Sequence, residues 1–256
     1  MAWYDSQVIA FYLPGGIPIY AFSLLLALGV FFGMVWVVWQ LSDKEASRNM
    51  EAGIWTLLGA LVGSRMVFVA FNWPYFQDHP WESLQVYLGG LSWPGALAGG
   101  LLVLALYAGV NHHPFVELAD ALVPLLVCLS VSAWLGCWLD GCAYGAAVSN
   151  WWGVPSSDEW GQVVSRSPVQ LIGALFTLGL FWSSERAVRR GNIKSGTLAC
   201  LGLLNLSLIS FGLSFLRVDP VLSWRDLHLD VWAALAFAGL GLIALLTIYS
   251  RKKGKA

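Results

Sequence analysis

Trp134–Gly145 reads WLGCWLDGCAYG and closes an apolar run that begins near Leu122. Gly136, Gly141 and Gly145 stand beside Cys137, Asp140 and Cys142. Glycine at this density in an apolar segment lets backbones approach closely, or ends a helix where a polar group must fit. Asp140 is an ionisable group where a membrane segment would meet water, and such residues are functional candidates by default. The rest of the chain decides whether a membrane is involved.

Of the 256 residues, 58% are apolar and 11% charged, and the mean hydropathy is +0.67. A soluble domain carries about 25% charge, so the chain reads as a polytopic membrane protein. A net charge of −1 offers no basic surface for a phosphate backbone, which excludes nucleic acid as a partner. The 15 tryptophans suit a bilayer protein, since Trp gathers at both interfaces. Cysteines 128, 137, 142 and 200 form no Cys-x-x-Cys and no His–Cys cluster, so no metal and no cofactor is expected. The first 18 residues lack Lys and Arg and hold Pro14 and Pro18, so they are not read as a cleavable signal peptide.

A membrane crossing takes about 20 apolar residues. Seven stretches qualify, at 19–41, 52–72, 93–111, 117–138, 167–184, 195–216 and 230–250. With the N-terminus outside, ten basic residues fall inside: Lys44, Arg48, Arg186, Arg189, Arg190, Lys194, Arg251, Lys252, Lys253 and Lys255. Three, Arg166, Arg217 and Arg225, fall outside. That bias sets the orientation. The sequence predicts an all-α integral membrane fold of seven transmembrane helices, N-terminus outside and C-terminus cytoplasmic, as one domain over 1–256. The outer connection 73–92 mixes aromatic and acidic residues and is expected along the interface. The outer connection 139–166 carries Trp151, Trp152, Asp158, Glu159 and Trp160 and is expected to form a small cap.

Several polar residues need a reason. Arg65 lies within a predicted span, where an arginine costs about 2.5–3.5 kcal/mol on insertion scales. It admits two readings, an ion pair with Glu117 or Asp120 and a contact to a lipid phosphate. GGLSWPGALAGG at 89–100 reads as a glycine-rich helix entry with Pro94 in the first turn, or as backbone that lies close to a lipid head group. Arg166 and Arg217 flank predicted spans and either meet a lipid phosphate or snorkel. Gln170, one turn inside, calls for a partner in the bundle. His112, His113 and Asp43 read as a solvated inner loop. Cys137 and Cys142 are five apart and share no face of a continuous helix, so packed small residues are expected, with a redox pair as the second reading.

Together these pieces resemble prolipoprotein diacylglyceryl transferases. The resemblance runs over about residues 15–250. It rests on Ile19-Tyr20, GSRMVFVAFN at 63–72, GGLSWPGALAGG at 89–100 and ELADALVPL at 117–125. It continues with GCWLDGCAYG at 136–145, RSPVQL at 166–171 and FLRVDP at 215–220, in family order. It implies a multi-pass protein of the bacterial inner membrane that moves diacylglycerol from phosphatidylglycerol to the lipobox cysteine of prolipoproteins. Tyr20, Arg65, Gly95, Gly145, Arg166, Pro168, Gln170 and Arg217 match the family pattern.

Other positions depart from it. Pro94 stands where the family has a histidine, and Ala133-Trp134 where it has Gly-Arg. Cys142 takes the acidic or cysteine position. The family's His-Pro-Ser-Gln appears as Ser167-Pro168-Val169-Gln170, its following Tyr and Glu as Ile172 and Gly173. Ser210 and Ser214 replace an Arg and a Glu. Positive groups at developing charge supply the main electrostatic term in such a transfer, and a base must activate the thiol. The expectation is a diverged, non-catalytic relative. It would keep a phospholipid site at Arg65, Gly95, Gly145, Arg166, Gln170 and Arg217, with phosphatidylglycerol as the lipid, or serve as a subunit of a membrane complex. The alternative is an active transferase on prolipoprotein substrates, with Tyr20 and Asp140 as catalytic candidates. A third reading gives the Cys137–Cys142 pair to a different lipid chemistry.

Overall fold

The computed structural model describes residues 8–39, 43–86, 89–158, 160–191 and 193–250. Glu159 and the basic residues Arg251, Lys252, Lys253 and Lys255 lie outside them. The chain forms two compact units, one of residues 34–122 and one of the chain before and after it.

The expected all-α character holds for the spans. Among the described residues six helices are long and apolar enough to cross a membrane: α1 (Ala21–Trp39), α2 (Asp43–Phe71), α4 (Trp93–Val110), α6 (Val123–Asp140), α8 (Thr197–Ser214) and α9 (Leu229–Ser250). The seventh expected span falls in α7 (Val169–Gly191), which is not among the six. Its apolar run covers only 171–182, between Gln170 and the polar stretch Ser183–Arg190. Twelve residues rise about 18 Å, whereas the whole 23-residue helix rises about 34 Å, against a hydrocarbon core of ~30 Å.

Short strands interrupt the helical pattern. Residues Ile9–Leu13 (β1) pair antiparallel with Ile17–Tyr20 (β2), and Gly15 and Gly16 turn between them at positive φ. Ile19 and Tyr20, expected in the first span, therefore belong to a hairpin. The expected cap is a second hairpin, Val154–Ser157 (β3) with Val163–Arg166 (β4). A two-residue ladder joins Ser223–Trp224 (β5) to Leu227–His228 (β6).

In the unit 34–122, α2 starts nine residues before the expected 52. Its first turn carries Asp43 and Glu45, favourable at the positive end of the helix dipole. The connection after α2 holds a helical turn, α3 (Trp73–Phe76), and a 3₁₀ turn at Pro80–Leu84. Helices α2 and α4 meet through glycine on both sides. A Cβ on Gly63 would lie 2.5 Å from Gly95 O and 2.8 Å from Gly99 Cα, and one on Gly59 2.7 Å from Gly99 O. Small residues at i and i+4 are what let membrane helices touch backbone to backbone. Gly95 thus serves helix contact here.

The expected fourth span breaks in two. Residues Phe115–Ala121 form α5, and α6 begins at Val123 with Pro124, whose missing N–H and ring disfavour helix through that point. In the other unit α1 packs on α6 through Gly29 and Gly33, where a Cβ would lie 2.9 Å from Ser132 Cβ and Leu125 Cα respectively. Helices α7 and α8 are tied by Asn205 Nδ2, which donates to Ser184 Oγ at 2.8 Å. A buried cluster of Val123, Val127 and Phe181 fills the space at α6 and α7.

The glycine contact makes a prediction. Gly99→Val sets a side chain 2.9 Å from Gly63 Cα, with backbone on the far side that cannot yield. It should cost about 1–3 kcal/mol as overpacking, read as a lower unfolding midpoint in lipid nanodiscs. Gly109→Ala, in the same helix with nothing within 4 Å, should leave the midpoint unchanged or raise it.

Candidate functional site

Arg65 is 5% exposed and donates to four backbone carbonyls. Its Nε reaches Ser83 O at 2.9 Å, Nη1 reaches Gly89 O at 2.6 Å and Gly90 O at 3.1 Å, and Nη2 reaches Glu82 O at 2.5 Å. The Phe68 and Phe76 rings lie 5.5 and 5.4 Å from its central carbon. Four of five N–H groups are thereby engaged. Gly89 and Gly90 have φ of +81° and +73°, a conformation glycine adopts without a Cβ penalty. A Cβ on Gly90 would lie 2.8 Å from Arg65 Nη1. The carboxyl partners expected at Glu117 or Asp120 give way to carbonyls of the loop 82–90. Tyr75 Oη donates to Glu82 Oε2 at 2.6 Å and steadies that loop.

Gly95 shares the unit of Arg65, while Tyr20, Gly145, Arg166, Pro168, Gln170 and Arg217 belong to the other unit, where a helix end organises the last five. Helix α6 stops at Asp140, and Gly141 turns the chain at φ +71°. Cys142 N–H then donates to Cys137 O at 3.0 Å. This six-to-one bond around a left-handed glycine is the Schellman helix end. It brings Cys142 back over Cys137, and the two form a disulfide with Cα atoms 4.6 Å apart. The expectation of two merely packed cysteines is corrected: their spacing separates them on a continuous helix, but the helix ends between them. Asp140 Oδ1 accepts Val8 N–H at 3.2 Å, anchoring the start of the N-terminal hairpin. Tyr20 ends β2, half-buried.

Beyond the disulfide, each residue meets an arginine-bearing segment. Cys142 O accepts Gln170 Nε2 at 3.0 Å, Ala143 N–H donates to Asp219 Oδ2 at 3.3 Å, and Tyr144 O accepts Val218 N–H at 3.0 Å. Gly145 bridges Arg217 and Ala147 bridges Arg166. A Cβ on Gly145 would lie 2.7 Å from Ser167 O, which fixes glycine there.

Arg217 is held by two carboxylates. Nε and Nη2 reach Asp219 at 2.9 and 2.7 Å, and Nη1 reaches Asp230 Oδ2 at 2.9 Å. Burial alone would lower its pKa, but the Asp219 and Asp230 carboxylates outweigh it and raise the guanidinium above its ordinary value. Its contribution to stability is complete at every pH below that ordinary value and is lost only above the raised one. Arg166 Nη2 reaches Asp158 Oδ2 at 3.0 Å, and its guanidinium lies 4.4 Å above the Tyr144 ring. Asp158 Oδ1 also accepts Trp160 and Gln162 N–H at 3.0 and 2.9 Å, so it shapes the cap hairpin. Two polar atoms here are buried without a hydrogen-bond partner among the described residues, Arg166 Nε and Gln170 Oε1.

Asp158, Asp219 and Asp230 are the site residues the sequence reading missed. Asp219 sits inside the quoted FLRVDP stretch, and Asp230 falls in the first turn of a span. Asp158 has no signal beyond an acidic residue in a loop.

A multi-span membrane protein with arginines buried on its own oxygens is the class this arrangement defines. Residues 8–247 match the family described as LGT: Prolipoprotein diacylglyceryl transferase, and the chain belongs to that family. A phosphatidylglycerol–prolipoprotein diacylglyceryl transferase of Thermosynechococcus vestitus is 26% identical over 262 residues, covering 96% of this chain and 97% of the relative. One of Bacillus licheniformis is 23% identical, covering 96% and 93%, and one of Clostridium perfringens 26%, covering 80% and 81%. With its apolar helices, the chain is a multi-pass protein of the bacterial plasma membrane.

Two substitutions separate the arginine roles. Arg65→Lys keeps the charge but offers three donors from one point in place of the guanidinium fork. It should free loop 82–90 to protease and cost about 2 kcal/mol as carbonyls lose partners. An unchanged cleavage pattern would show that the loop holds without it. Asp219→Asn breaks a two-pronged buried pair and should cost about 3 kcal/mol in denaturant unfolding, more than Asp158→Asn, which loses one ionic contact.

Proposed function

We propose that this chain is a diverged member of its family that keeps the fold without the transfer chemistry, and that it holds a phospholipid head group or serves as a subunit of a membrane assembly. One observation carries the reading. Trp134 and Gly173, at positions where the family pattern has an arginine and a glutamate, fit each other: a Cβ on Gly173 would lie 2.5 Å from Trp134 Cδ2. Trp134 and Ile172 pack on the buried cluster Val169, Ile209 and Leu213. An apolar contact fills the place of two charged groups. The arginines that match the pattern support the same reading, since Arg217 and Arg166 are balanced by this chain's own carboxylates. The lipid this reading favours is phosphatidylglycerol, the one in the relatives' names.

The orientation belongs to the same proposal. A disulfide persists on the oxidising side of a membrane, which favours an outside location for the C-terminal end of α6. Arg186, Arg189 and Arg190 at the far end of α7 then fall inside, as the positive-inside bias asks, with α7 as the seventh crossing.

The second reading, an active transferase, is favoured by Arg166 Nε and Gln170 Oε1, buried atoms that lack a partner among the described residues and that a substrate would satisfy. Reconstitution in phosphatidylglycerol vesicles with a lipobox peptide separates the two. Removing one oriented donor costs about a hundred- to a thousand-fold, so transfer should fall at least ten-thousand-fold below that of a relative assayed alongside. Transfer near the relative's rate sinks the non-catalytic reading. Native mass spectrometry of the protein should show bound phosphatidylglycerol or a partner at fixed ratio.

A further inference from the structure

The Cys137–Cys142 disulfide joins residues that the Schellman hydrogen bond already brings together, so the helix end alone does not account for it. The residue after it does. Ala143 is 4% exposed and sits at φ +52°, a left-handed conformation that costs a non-glycine residue about 1–2 kcal/mol. Such a residue persists only where its surroundings over-determine it. Its N–H, in that conformation, is the donor to Asp219 Oδ2, and Asp219 is the carboxylate that grips Arg217 through two nitrogens. On the other side, the Cys142 carbonyl takes the amide of Gln170, which is 0% exposed.

We propose that the Cys137–Cys142 disulfide is a positioning device. It clamps residue 142, holds Ala143 in its left-handed state, and thereby sets Asp219, Arg217 and Gln170. Cys137 and Cys142 are positioning residues that act through the 142–145 loop and touch no ligand. The proposal rests on the reading above only in taking this cluster as the working site, and it holds whether that site binds a lipid or also transfers it.

The physical logic is a comparison of two restraints. The six-to-one hydrogen bond contributes about 1 kcal/mol net and competes with the cost of the left-handed alanine. The covalent bond closes the same short loop without any such competition. A glycine at 143 would remove the cost, and the clamp would then be dispensable.

The test is amide hydrogen exchange on the full-length protein in lipid nanodiscs, with and without dithiothreitol. Two-electron reduction splits the bond into two thiols while the reagent closes to its cyclic disulfide. Peptides covering 142–146 and 216–220 should exchange at least tenfold faster after reduction, with α2 and α4 unchanged. The Cys137→Ser/Cys142→Ser double variant should show the same acceleration without reductant, and adding Ala143→Gly should reverse most of it. Four free thiols in the untreated protein, no change on reduction, acceleration spread equally through α8 and α9, or no effect of Ala143→Gly would each overturn the proposal. No transfer activity is read, so an active enzyme would refute the proposed function and leave this result standing.

Discussion

An arginine taken out of water must hand its N–H groups to other oxygens, and the hydrocarbon core of a bilayer offers none. That requirement shapes both units of this chain, with a different answer in each. Around Arg65 the oxygens are carbonyls. Four of them, from Glu82, Ser83, Gly89 and Gly90, converge on one guanidinium, and consecutive left-handed glycines at 89 and 90 turn the last two inward. The glycine contact of α2 with α4 belongs to the same construction. Gly63 lies two residues before Arg65, and Gly95 five residues after Gly90, so backbone contact fixes both ends of the loop that the arginine ties down.

Around Arg166 and Arg217 the oxygens are carboxylates, and the electrostatic outcome differs. Carbonyl dipoles satisfy a guanidinium without cancelling its charge. Carboxylates cancel it: Arg217 faces two aspartates and Arg166 faces one. A phosphate approaching the second group meets little net positive field, and its attraction would have to come from directed N–H groups. Arg166 Nε, without a hydrogen-bond partner among the described residues, is one such group.

The spans were legible in the sequence because length and apolarity are properties of a contiguous stretch. The family was legible because seven motifs recur in order. What escaped was set by partners distant in sequence. Nothing in GSRMVFVAFN indicates that Arg65 is met by carbonyls, since every residue carries one and only the loop's path selects four. The two cysteines misled because spacing on a helix was used across a helix end, although Gly141 between them carried the correction. Tyr20 was placed in a span because β2 is as apolar as the helix it precedes. α7 differs from the other expected spans in apolarity rather than length, since it runs 23 residues but its polar stretch begins at Ser183, within the expected 167–184.

At 134 and 173 the packing is matched across two helices. A Cβ on Gly173 would lie 2.5 Å from Trp134 Cδ2, so the indole occupies the space that any larger residue at 173 would take. Trp134 and Ile172 together cover the buried cluster of Val169, Ile209 and Leu213, and Val169 stands three residues after Arg166. Close packing of this kind leaves little freedom to shift, so the helix that carries Gln170 is held beside the Gly145–Arg217 and Ala147–Arg166 bridges.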